Sequence, residues 1–133
     1  MIDLTDDSMV TIAGTGTAHT SVATYTDGTP GQPLTATIQQ CDGAICAADG
    51  TIYFGDVKGT IRTFRPDASG DYSKGTIKTI IGTPYTTVCK DGVAGEATFA
   101  YPEGMALAAD GKTLFVIDGT TNGTVRKMTF VEE

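Results

Sequence analysis

The chain has 133 residues, a net charge of −7, 17 glycines and no tryptophan, a size that suits one domain and a composition that suits strands and turns. Its nine Lys and Arg stand against 16 acids and form no cluster, so the basic face that nucleic acid or an anionic membrane requires is missing. No run approaches the roughly 18 apolar residues of a membrane span, and the acidic start MIDLTDDSM lacks the apolar centre of a signal peptide.

In chain order, Met9–Ala13 reads first as an apolar strand, the innermost of a first sheet. Gly14–Asp42 is a long loop rich in Gly, Thr and Pro, with Asp27-Gly28 and the only histidine, His19. Loops of this length often serve a function or lie against a neighbour; His19 itself reads as exposed and unpartnered. Gly43–Phe64, GAICAADGTIYFGDVKGTIRTF, is a three-strand meander turning at Asp49-Gly50 and near Gly59. Arg65–Gly75, RPDASGDYSKG, connects it to Thr76–Ile81, which reads as the innermost strand of a second sheet. A loop with Asp91-Gly92 follows, then Gly104–Met128, a second meander turning at Asp110-Gly111 and Asn122-Gly123. Asp-Gly and Asn-Gly between apolar runs signal hairpins because their central residues need positive φ.

The two halves repeat. Setting Gly43 on Gly104 lays Ala47-Ala48-Asp49-Gly50 over Ala108-Ala109-Asp110-Gly111. With small shifts, Asp56 meets Asp118 and Ile61-Arg62 meets Val125-Arg126. Upstream, Val10-Thr11-Ile12-Ala13-Gly14 matches Lys78-Thr79-Ile80-Ile81-Gly82. Such a repeat governs the fold. The expectation is an all-β chain of two four-stranded antiparallel meander sheets, about 9–65 and 76–130. Asp56 and Asp118 are expected to accept N–H bonds in the hairpin turns that follow them. Arg62 and Arg126 are expected to snorkel or to pair with a neighbouring sheet.

Asp67, Ser69, Asp71 and Ser73 alternate as calcium ligands would, but Gly70 is one place off and no Glu follows at the needed spacing. A solvated turn capped by its own Asp and Ser is expected there, with no cofactor. Cys41, Cys46 and Cys89 are an odd number and are expected reduced and partly buried. Asn122-Gly123-Thr124 has the form of a glycosylation acceptor, but the hairpin turn already accounts for it.

The second unit carries Asp91-Gly92, Phe99, Pro102, Gly104, Asp110-Gly111, Asp118, Asn122 and Val125-Arg126-Lys127. In this spacing it resembles the NHL repeat, a blade of a β-propeller. The first unit departs from the pattern, with Cys41 where Pro102 stands and Gly59 shortening the turn. The resemblance spans most of the chain. It implies two blades, about 10–64 and 76–130, of a ring that in this family most often has six. Two blades leave two apolar faces uncovered, since only closure covers both ends. The chain is therefore expected to be one third of a six-bladed homotrimer, or a segment of a longer propeller. The tail from Val125 to Glu133 looks like a natural last strand, and Met1 precedes the first blade abruptly.

The resemblance implies a non-enzymatic module binding a protein or glycan, in a bacterial periplasm or at the cell surface. A binding face would draw on Asp49, Arg65, Asp67, Asp71, Tyr72 and Asp110, with the long loops on the opposite side. One alternative is a self-assembling structural element. Another is a fragment of a lyase- or lactonase-type propeller enzyme, whose clustered His, Asp and Glu the strands Met9–Ala13 and Thr76–Ile81 do not carry.

Overall fold

The computed structural model describes residues 9–56, 59–119 and 123–130. Met1–Ser8, Asn122 and the tail 131–133 lie outside the described residues, so the readings of the abrupt start, the Asn122-Gly123 turn and the last residues are not addressed by it.

The described chain is all-β. Its strands are β1 (Ala44–Cys46), β2 (Ile52–Asp56), β3 (Thr60–Arg65), β4 (Thr76–Gly82), β5 (Pro102–Leu107), β6 (Thr113–Asp118) and β7 (Thr124–Thr129), with three short 3-10 turns. They form two antiparallel sheets, ordered β1-β2-β3-β4 and β5-β6-β7. No helix of the described residues is long and apolar enough to cross a membrane.

The two tight turns are built alike. Gly50 and Gly111 sit at φ 83° and 65°, where a side chain would be strained. Their N–H groups donate to Ala47 O at 3.0 Å and Ala108 O at 2.9 Å. The preceding carboxylates accept backbone N–H bonds two residues on, Thr51 to Asp49 at 2.9 Å and Lys112 to Asp110 at 2.8 Å. These local bonds fix the registers Cys46↔Ile52 and Leu107↔Leu114.

Two expectations are corrected. Thr76–Ile81 does not open the second sheet: as β4 it is the last strand of the first, paired with β3 from Thr60↔Gly82 to Arg65↔Thr76. Its β-branched run reads as a strand wherever it lies, and only pairing decides its sheet. Met9–Ala13 forms no strand, and the second sheet has three strands among the described residues, not four.

The sheets pack face to face. Between them Tyr53 and Ile61 meet Leu114, Val116 and Phe99, flanked by Ile80, Ile81 and Met105. Burying each such large side chain contributes about 1.5–3 kcal/mol. The opposite face of the first sheet buries Phe54, Phe64 and Ile77 under Ala36, Ile12 and Ile38 from the long N-terminal segment. At one end β5 lies close against the first sheet: a Cβ on Gly43 would strike the Glu103 carbonyl, and one on Gly55 the carbonyl of Pro102.

Candidate functional site

Both long loops are tied to their sheets by an arginine, fully buried at Arg62 and largely covered at Arg126. Arg62 Nη1 donates to Thr37 O at 2.6 Å and Asp56 Oδ2 at 2.9 Å, Nη2 to Thr26 O at 2.9 Å, and Nε to Asp27 Oδ1 at 3.1 Å. Arg126 repeats the pattern: Nη1 donates to Thr98 O at 2.5 Å and Asp118 Oδ2 at 3.1 Å, Nη2 to Lys90 O at 2.6 Å, and Nε to Asp91 Oδ1 at 3.2 Å. Each guanidinium lies over an aromatic ring, Tyr25 at 4.8 Å and Phe99 at 4.4 Å. A planar fork of five donors suits this task of gripping two carbonyls and two carboxylates at once.

The expected roles of these residues change accordingly. Among the described residues neither arginine pairs with a neighbouring sheet; each holds its own unit's loop. Among the described residues Asp118 accepts N–H bonds from Ala100 and Tyr101, which precede its sheet's first strand, and the turn after it at 120–122 lies outside the described residues. His19 is fully buried, not exposed. Its Nε2 lies 3.1 Å from Asp56, and its Nδ1 lies 2.8 Å from the hydroxyl of Tyr85. The loop folds inward there because the buried Asp56 carboxylate needs partners. In the second unit Cys89 takes the place of His19. Its Sγ donates to Asp118 Oδ2 at 2.9 Å, and this bond holds the thiol pKa above its ordinary value.

The three cysteines are free and exposed, not partly buried. Cys46 lies on the edge strand β1, and Cys41 and Cys89 lie in loops. Although Cys41 is exposed as a residue, desolvation of its thiol, with Asp56 nearby, pushes it up to about 11.

The expected binding residues lie at the turns. Asp49 lines a shallow groove of about 440 Å³ between the Asp49-Gly50 and Asp110-Gly111 turns. Tyr72 lies outside that groove and donates from its hydroxyl to Gly50 O at 2.8 Å, and Arg65, which lines a separate cleft, acts electrostatically on Asp49. Asp110 belongs to the second turn and bonds Lys112 N, Thr113 N and Thr113 Oγ1. Asp67 and Asp71 lie in the connection. Asp67 Oδ1 accepts from Ser69 N, Ser69 Oγ and Asp71 N, and Asp71 Oδ1 from Ser73 N and Ser73 Oγ. Those bonds hold both carboxyls below their ordinary range, the serine hydroxyls contributing most. The Asp and Ser side chains of this connection thus cap their own backbone, and among the described residues no His, Cys, Asp and Glu group has a metal-binding arrangement.

A larger cavity lies elsewhere. A cleft of about 850 Å³ opens between β3 and β4 of one sheet and β7 of the other, with Ile80, Ile81, Phe99 and Met128 among its walls. Sequence reasoning missed it and missed both arginine clamps. The signal for the clamps was present: Asp-Gly, Asp and Arg recur in the same order, as Asp27-Gly28, Asp56, Arg62 and Asp91-Gly92, Asp118, Arg126.

The fold and its clamps define an all-β protein of two stacked, repeat-related sheets. No protein-family model and no curated protein matches the chain.

Proposed function

We propose that the chain is a non-enzymatic NHL-type β-propeller module, two blades of a larger or oligomeric ring, that binds a protein or glycan in the periplasm or at the cell surface. The observation that carries this reading is the duplicated clamp. Asp56 with Arg62 and Asp118 with Arg126 close a loop onto a sheet in each unit. The buried charges therefore serve the repeat architecture, and recognition falls to the surface between the turns. Asp49 offers a carboxylate there, and Arg65 and Tyr72, which neighbour the Asp49-Gly50 turn, add a guanidinium and an aromatic ring, a set suited to sugar hydroxyls or a peptide backbone.

Glycan and peptide arrays probed with the labelled chain test the reading. Binding that falls at least about tenfold, roughly 1.4 kcal/mol, in both Asp49→Ala and Arg65→Ala supports it. Binding that neither substitution changes rejects this surface as the site.

A further inference from the structure

In the first unit the clamp is completed by a fourth strand. Thr79 of β4 donates from N and Oγ1 to the two oxygens of Asp27 at 2.7 and 2.8 Å. The second unit shows the same clamp without that strand. Among the described residues β7 pairs only with β6. Asp91, the counterpart of Asp27, bonds Arg126 yet is 97 % exposed. The cleft walled by Ile80, Ile81 and Val125–Phe130 lies where a counterpart of β4 would run.

The sequence holds a second segment of the right pattern. Val10-Thr11-Ile12-Ala13-Gly14 matches the end of β4, Lys78-Thr79-Ile80-Ile81-Gly82. Gly14 and Gly82 share the left-handed region, at φ 89° and 99°. Ile12 and Ala13 pack on the Phe54 cluster of the first unit, as Ile80 and Ile81 pack on Phe99, Leu114 and Val116 of the second. The segment therefore already occupies, against the first unit, the place that β4 occupies against the second. What it lacks is a strand in the role of β3 along its edge.

We propose that the edge of β7 and the adjoining cleft accept Val10–Gly14 of a second copy of this chain by strand addition. The β3–β4 register then sets Gly14 opposite Thr124, Ala13 opposite Val125 and Thr11 opposite Arg126. Thr11 donates to Asp91 as Thr79 does to Asp27. Main-chain bonds supply the affinity, and alternate side chains set the register. The contact also shelters Phe115, Ile117 and Val125, which are 39 %, 43 % and 72 % exposed. Ile117 stands where Gly55 admits the Pro102 carbonyl, so the copies sit further apart at that end than β2 and β5 do. The outer edge is thus the seat of the contact. Being head-to-tail, it closes into a ring or continues as a filament. The inference rests on the repeat-module reading but not on any ligand.

Light scattering on a sizing column, over a range of concentrations, tests it with the wild-type chain and Thr11→Pro. Proline removes the N–H that reaches Asp91 and blocks an edge pairing. The expected result is a wild-type mass that is a multiple of one chain, and Thr11→Pro at single-chain mass with an unchanged circular dichroism spectrum. Should Thr11→Pro misfold, a synthetic peptide of residues 9–15 added to the wild type is expected to dissociate it. A wild-type chain of single mass at every concentration overturns the proposal. So does an assembly that both Thr11→Pro and the peptide leave intact, which would place the contact on the Phe115 face. Assembly that persists while Asp49→Ala and Arg65→Ala leave array binding unchanged would reject the recognition surface and leave strand addition standing.

Discussion

The two arginine clamps share a plan and differ in completeness. Around Arg62 the side chains of Asp56 and His19 are fully buried, and Asp27 is 32 % exposed beneath β4. Around Arg126 the inner half is the same, with Asp118 fully buried, but the outer half opens to solvent at Asp91. The same residues in the same order thus give a closed network in one unit and a half-open one in the other. Neighbouring strands, rather than the clamp residues, decide how far the charges are removed from water. An ion pair shielded from solvent is costly to break, because the partner left behind stays buried and unpaired.

The largest expected effect tests that contrast. Arg62→Ala strands Asp56 and two loop carbonyls, and we expect a loss of about 3–5 kcal/mol. Arg126→Ala also strands Asp118, but Asp91 falls back on water, so its loss is expected to be smaller. Urea unfolding of both variants at equal chain concentration measures the difference. Equal losses would mean that β4 contributes nothing to the first clamp, and the comparison would fail.

A smaller effect compares the two faces that the repeat makes equivalent. Ile61 and Val125 occupy matching positions after the hairpin, yet Ile61 is fully buried against the second sheet and Val125 is 72 % exposed. Ile61→Ala is expected to cost about 2–5 kcal/mol through lost burial and the cavity left behind. Val125→Ala is expected to change the stability of the single chain by no more than about 0.5 kcal/mol. A loss in Val125→Ala that grows with chain concentration would instead report a contact between copies.

The same contrast marks how far the sequence was legible. The hairpins at Asp49-Gly50 and Asp110-Gly111 could be read directly, because their signals are local: a carboxylate that caps the turn and a glycine at positive φ. The partner of Thr76–Gly82 could not, because a β-branched run carries no mark of which neighbour it pairs with. His19 was misread for a related reason. Its burial depends on Asp56, 37 residues away, and nothing beside it in sequence signals that pairing. The recurrence of Asp27, Asp56 and Arg62 as Asp91, Asp118 and Arg126 was visible. Each of these residues alone carries only the signal of turn chemistry, and the network shows only when they are set side by side.

The smallest effect concerns the turn carboxylates, where the two units are closest to identical. Asp49 is held below its ordinary pKa first by the Thr51 N–H, and Asp110 first by the Lys112 N–H. A carboxyl whose folded pKa is lowered favours the folded state above the unfolded value, about 3.9 for Asp. That contribution fades as pH falls through the folded value. Asp49→Asn and Asp110→Asn keep an acceptor for the N–H but lose the charge. Each is therefore expected to lower the thermal midpoint slightly at neutral pH and to converge with the wild type as the pH falls through the lowered folded value. Matching shifts in the two variants would show that the turns are energetically equivalent, whatever neighbours their sheets have. A larger shift in Asp49→Asn would assign the excess to the charge of Arg65 beside it, and raising the salt concentration would then remove that excess.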